Sequence, residues 1–184
     1  YEIIKLIYLG KISKSKGIFD LIEVIKDNKE YLENKINLTI AGDEETPTLS
    51  KLLIKYKIDH IVNYTGWIQG EEKIKLLIDN DISILPSYHE GLPITLLEAM
   101  SYKMPIIATA VGGIPEILKD NYNGITISPG DKKDIFNSID YFIKNKSNIV
   151  EYGNNSFNTV TNYLPNEVNN KLQSIYKKVE YSEV

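Results

Sequence analysis

Short apolar runs alternate with amphipathic stretches through most of the chain. Six such runs, Ile3–Leu9, Ile36–Ala41, Ile61–Thr65, Ile82–Leu85, Pro105–Ala108 and Gly124–Ile127, are four to seven residues long. Their length and their wealth of β-branched side chains predict buried strands rather than helices. Between them the apolar positions fall at helical spacing. Ile18, Leu21, Ile22 and Ile25 line one helix, Leu49, Leu52, Leu53 and Tyr56 a second, and a third spans about 70–80. A fourth begins near Pro93, a short one runs through Glu116, Ile117 and Leu118, and Asp131 is placed to cap one reaching about Lys144. Strand and helix in alternation imply βαβ units, hence an α/β fold with a parallel six-stranded sheet covered on both faces. From Ser147 the pattern changes to helical segments at about 148–160 and 165–180, the last opened by Pro165. The expected organisation is therefore one α/β domain over 1–145 and a C-terminal helical tail over 146–184.

Composition narrows the chemistry. All 21 basic residues are Lys, so no arginine fork is available and a phosphate partner must be met by Lys or backbone amides. A net charge of −4 gives no footing for nucleic-acid binding. Cysteine is absent, which removes disulfides and a thiolate nucleophile and is compatible with a cytoplasmic setting. No signal peptide and no apolar run near 18 residues are found.

The candidate chemistry gathers at strand ends, where ligands of open α/β sheets bind. Central is Pro86–Met100, in which a strand runs through a polar turn into an apolar helix. Glu90 precedes that helix and Glu98 lies in its second turn, about 7–8 Å along the axis at about 1.5 Å per residue. The helix start offers free amides and a positive dipole end between the carboxylates. The pair admits three roles: a general acid and base as in glycoside hydrolysis, clamps for sugar hydroxyls, or exposed acids stabilised by the dipole. Gly10 to Gly17 carries Lys11, Lys14 and Lys16 at another strand end, either a diphosphate clamp or a solvated basic loop. At Gly66-Trp67-Ile68 the backbone is expected to read a base edge, with the indole packed under the neighbouring helix. Gly112-Gly113 serves either a ligand cradle or a tight turn, and His89 is more often incidental than catalytic in such a loop.

Several segments occur together in a familiar order: Leu9-Gly-Lys with Lys16-Gly17, Thr39-Ile-Ala-Gly-Asp43, Tyr64-Thr-Gly-Trp67, Glu90-Gly-Leu-Pro with Leu97-Glu-Ala-Met100, Pro105-Ile-Ile-Ala-Thr109 and Gly112-Gly-Ile-Pro-Glu116. Over about 3–145 the chain closely resembles the C-terminal, donor-binding domain of group 1 (family 4) retaining glycosyltransferases. That domain is the Rossmann-like, doubly wound half of the GT-B fold.

The resemblance implies a hexosyl transfer from a UDP- or GDP-linked sugar to a saccharide or lipid-linked acceptor, as in polysaccharide biosynthesis. Glu90 would bond the donor sugar, with Gly91, Leu92, Ile94 and Thr95 amides serving sugar and phosphate. Glu98 would hold the ribose, Gly10, Trp67 and Ile68 would border the nucleotide, and Lys11 and Lys16 would neutralise the diphosphate as it leaves. Lys11 stands where the family usually has Arg, keeping charge but giving up the fork. Neither metal nor other cofactor is implied. The family's N-terminal acceptor-binding domain is expected to be absent from this chain, which alone would be inactive, and the full enzyme is expected at the inner face of the membrane. The rival readings are a non-catalytic nucleotide-sugar-binding domain and a nucleotide-sugar epimerase.

Overall fold

The computed structural model describes residues 3–163, and the expected helix at 165–180 lies outside the described residues. Six strands form, β1 Ile4–Leu9, β2 Ile36–Ala41, β3 Val62–Gly66, β4 Ile82–Leu85, β5 Ile106–Thr109 and β6 Gly124–Ile127. They make one parallel sheet in the order β3-β2-β1-β4-β5-β6. The interior strands β4 and β5 are buried throughout, as their mostly apolar sequences require when both faces are covered. The edge strand β3 is covered only in part and is correspondingly more polar.

Among the described residues eight α-helices flank the sheet, α1 Ile18–Asp27, α2 Lys29–Leu32, α3 Thr46–Tyr56, α4 Gly70–Asp79, α5 Ile94–Ser101, α6 Ile114–Ile117, α7 Lys132–Lys144 and α8 Ser147–Val160. α1 packs against α7 and α3, while α5 packs against α8, so the sheet lies between two helical layers. The fold is the Rossmann-like, doubly wound α/β arrangement that the alternation implied. α7 starts where Asp131 accepts hydrogen bonds from the Lys133 and Asp134 amides. The single turn α2 has no anticipating apolar period.

The tail's first helix is fastened to the domain. A Cβ on Gly153 would lie 2.0 Å from the Lys103 carbonyl oxygen, so only glycine allows α8 this approach. Ser156 Oγ donates to the Asn123 carbonyl, and the buried Asn123 amide donates to Ile117 O while its oxygen accepts from Lys119 N. Each polar group buried there is thereby satisfied, which is the condition for its burial. Among the described residues, no helix is long and apolar enough to cross a membrane.

The chain order reverses between β1 and β4, which are neighbours in the sheet. Such a switch leaves a crevice at the strands' carboxyl ends, because the flanking loops leave in opposite directions. The loops after β1, β2, β3, β4 and β5 all open onto that edge.

Candidate functional site

The loop after β4 is fixed from three sides. Tyr88 N donates to Ser15 O at 2.8 Å, Gly113 N to Gly91 O at 2.7 Å, and the buried Thr109 hydroxyl to Ser87 O at 2.6 Å. Two glycines make these approaches possible. Gly17, at φ +68°, and Gly112, at φ +57°, would each place a Cβ 1.9 Å from a carbonyl oxygen, of Pro86 and Glu90 respectively. Both conditions exclude ordinary side chains. Of the two roles open for Gly112-Gly113, the structure displays the conformational one.

On this support Glu90 is held almost buried, accepting from Lys16 Nζ at 2.8 Å and Ser87 Oγ at 2.6 Å through Oε1. Their side chains are 24% exposed for Lys16 and 7% for Glu90, so the pair is shielded but reachable. Lys11 pairs instead with Glu44 at 2.5 Å, in an exposed contact, and that hydrogen bond raises the lysine's pKa. Tyr8 lies beneath, fully buried, with its hydroxyl donating to Lys11 O at 2.7 Å. Burial, then the charges of Glu90 and Glu44, push the Tyr8 phenol well above its ordinary range, so it remains a protonated donor.

Glu98 accepts from Lys73 Nζ at 2.6 Å through Oε1, while its Oε2 is buried with no hydrogen-bond partner. The two carboxylates therefore do not form a pair: each is held by its own lysine, and among the described residues no group bonds both. α5 has no side-chain cap, since Pro93 occupies the N-cap. The amides of Ile94 and Thr95 at its first turn thus have no intrahelical acceptor. Gly91, Leu92 and Ile94 are exposed around this helix start.

Gly10, Lys11, Trp67, Ile68 and Thr95 share a cavity of about 270 Å³ with Leu9, Ala41, Gly42 and Lys73. Trp67 departs from expectation: its side chain is not packed under α4 but 66% exposed. It follows the edge strand β3, beyond which no further strand lies among the described residues. Lys14 and His89 depart from the cluster as well. They line a separate groove of about 460 Å³ with Ser15, Phe19, Asp20, Glu23 and Tyr88. Of the three loop lysines, only Lys11 and Lys16 belong to the candidate site.

Sequence reasoning missed Lys73, Glu44, Ser87 and Tyr8. Glu44 alone carries a signal of sorts, an acid in the acidic turn after β2, yet its φ of +90° is visible only in the structure. A polar depression of about 370 Å³ at the opposite, amino end of the sheet, lined by Lys5, Asn37 and His60 among others, holds no predicted site residue. Among the described residues, no group of three or more His, Asp or Glu side chains is gathered as a metal site.

Comparison with known proteins gives the arrangement a family. The model of the glycosyl transferases group 1 family matches residues 3–159. An uncharacterized glycosyltransferase of Methanocaldococcus jannaschii is 32% identical over 159 residues, covering 85% of this chain and 40% of that protein. A sulfoquinovosyl transferase of Arabidopsis thaliana is 38% identical over 131 residues, covering 70% of this chain and 24% of that protein. The chain thus spans less than half the length of these curated relatives. Among solved structures, sucrose-phosphate synthase from Thermosynechococcus elongatus superposes with a TM-score of 0.83 at 19% identity, over 98% of this chain and 46% of that one. HepE from Anabaena in complex with UDP-glucose gives 0.81 at 18%, over 97% and 49%. The C-terminal domain of a group 1 glycosyl transferase from Francisella tularensis gives 0.76 at 24%, over 86% and 84%. The chain therefore belongs to the group 1 glycosyl transferases, and its sheet corresponds to the C-terminal Rossmann-like half of their GT-B fold.

Proposed function

We propose that this chain holds the nucleotide-sugar donor of a retaining glycosyltransferase that moves a hexose from UDP or GDP to a saccharide or lipid-linked acceptor. The observation that carries the reading is the buried, unpartnered Oε2 of Glu98 at a strand-end crevice that also offers two lysines and free helix amides. A buried carboxylate oxygen without a donor costs about 1–3 kcal/mol, which a ligand hydroxyl recovers on binding. A ribose supplies that hydroxyl, and a diphosphate supplies the anion for Lys11, Lys16 and the Ile94 and Thr95 amides.

On this reading the exposed indole of Trp67 and the backbone of Ile68 border the base, with Gly10 allowing close approach. Glu90, already anchored, takes a donor-sugar hydroxyl, with Gly91 and Leu92 beside it. Transfer breaks the bond between the anomeric carbon and the diphosphate and forms one from the acceptor hydroxyl oxygen to that carbon. The departing phosphate oxygen keeps the electron pair and takes up the acceptor's proton. Lys16, Lys11 and the helix-start amides neutralise that charge, so catalysis rests on positioning and electrostatics. The residues supply these contacts without a metal or other cofactor. The acceptor is met by the family's N-terminal domain, making the isolated chain donor-competent and transferase-inactive. The complete enzyme would work in the cytoplasm, peripherally at the membrane where a lipid-linked acceptor lies.

A thermal-shift screen of UDP- and GDP-sugars tests this, since a ligand that binds only the folded state raises its melting temperature. At least one nucleotide sugar is expected to raise it, and Glu98→Ala to weaken that ligand by about 1–3 kcal/mol in calorimetry. Absence of any shift in a cooperatively melting protein would remove the proposal. Unchanged affinity in the variant would remove the ribose role.

A further inference from the structure

We infer that Lys73 is a positioning residue that makes the nucleotide site selective for a ribose bearing vicinal hydroxyls. It rests on the nucleotide-binding reading above and adds to it a residue outside every motif. Lys73 lies in the first turn of α4, whereas Glu98 lies on α5, 25 positions later, so their bond ties two helices across the crevice. The ammonium engages Oε1 alone, at 2.6 Å. Oε2 is left buried and free of any partner. This single-point contact is the useful feature: an ammonium is a compact donor that engages one oxygen without covering both, as a guanidinium fork tends to.

Both side chains are only half-buried, at 28% exposure for Lys73 and 34% for Glu98. Without the ammonium, water competes for the carboxylate and Glu98 regains rotamer freedom, which binding would have to remove again. With it, Oε2 stays fixed as a strong acceptor in a place shielded from solvent. Lys73 also lines the cavity that Trp67, Ile68 and Thr95 share, so the cation that anchors Glu98 borders the space assigned to the nucleoside. A cis-diol can donate to such an oxygen, and a dideoxyribose cannot. Loss of a hydroxyl that pairs with a buried polar group costs more than loss of one that faces water.

The test is calorimetric titration of the wild-type chain and Lys73→Met with uridine and guanosine diphosphates and their 2′,3′-dideoxy forms. Methionine keeps the length and apolar stem and removes the charge and the donors. For whichever base binds, the wild type is expected to prefer the ribose form by about tenfold or more, and Lys73→Met by about threefold or less. The loss should come from the ribose form, with dideoxy affinity constant within about twofold, which also shows that the variant is folded. Equal weakening of both forms would reduce Lys73 to a structural role and overturn the inference. So would retention of the full preference in the variant. Binding of none of the four to the wild type would overturn the nucleotide-site reading itself, and this inference with it.

Discussion

Two of the three lysine–glutamate pairs at the crevice, Lys16–Glu90 and Lys11–Glu44, are built differently. Lys16–Glu90 joins a side chain 24% exposed to one 7% exposed, on a loop held by three long-range hydrogen bonds and two glycines. Lys11–Glu44 joins side chains 64% and 40% exposed, and Glu44 holds a φ of +90° that non-glycine residues seldom adopt. A shielded pair on a pinned loop is part of the architecture, since removing one partner strands the other. An exposed pair contributes little to stability and exchanges partners readily. Under the proposed function, the first would fix where the donor sugar meets the protein, and the second would keep a cation available that a diphosphate can take from Glu44.

Substitution should expose the contrast. The largest effect is expected at the support of the first pair: Gly112→Ala combines a left-handed backbone with a Cβ 1.9 Å from the Glu90 carbonyl oxygen. It should cost about 2–4 kcal/mol in denaturant unfolding, and a loss under about 1 kcal/mol would mean that the loop gives way easily. Next, Glu90→Ala strands the Lys16 ammonium and the Ser87 hydroxyl, for about 1–3 kcal/mol, below the deep-interior value because Lys16 retains some water. Equal destabilisation by Glu44→Ala would erase the distinction drawn between the pairs.

Tyr8 connects the two pairs, because its hydroxyl holds the Lys11 carbonyl and its phenol feels both glutamates. Tyr8→Phe should cost about 1 kcal/mol at neutral pH by freeing that carbonyl. Its folded-state pKa is raised above the ordinary 10.0, first by burial and then by the charges of Glu90 and Glu44. The stability tied to the protonated phenol is therefore complete below that ordinary value and is lost as pH climbs above it. Stability curves should show a steeper alkaline decline in the wild type than in Tyr8→Phe, and parallel declines would contradict the assignment. The smallest stability change belongs to Glu44→Gly, within about 0.5 kcal/mol, as relief of the positive φ offsets the added freedom of the unfolded chain. The same variant should bind nucleoside diphosphates more tightly while nucleosides are unaffected, and weaker diphosphate binding would show that Glu44 supports the anion rather than competing with it.

The sheet was legible because its strands are short apolar runs bounded by turns, and β2 and β4 fall at their expected limits. Glu90, Glu98, Lys11 and Lys16 stood out by their place around the strand ends, and the structure joins Glu90 to Lys16 but gives Glu98 and Lys11 other partners. Those pairings were not legible, since Lys16 meets Glu90 across 74 positions and Lys11 meets Glu44 across 33, contacts that only the folded topology creates. Lys73 sits on an outwardly ordinary helix with no motif around it, and the bond that singles it out crosses to α5. Trp67 was misplaced for a related reason. Large aromatics are usually covered, and only the strand order shows that β3 is an edge of the sheet.

The central claim is that Lys16, paired with Glu90 of the pinned loop, meets the diphosphate of a bound nucleotide. Calorimetric titration of the wild type and Lys16→Ala with a nucleoside diphosphate and the matching nucleoside tests it most directly. The account predicts that the variant loses about tenfold or more in affinity for the diphosphate, with nucleoside affinity unchanged within about twofold. Equal losses for both ligands, or full diphosphate affinity in the variant, would contradict it.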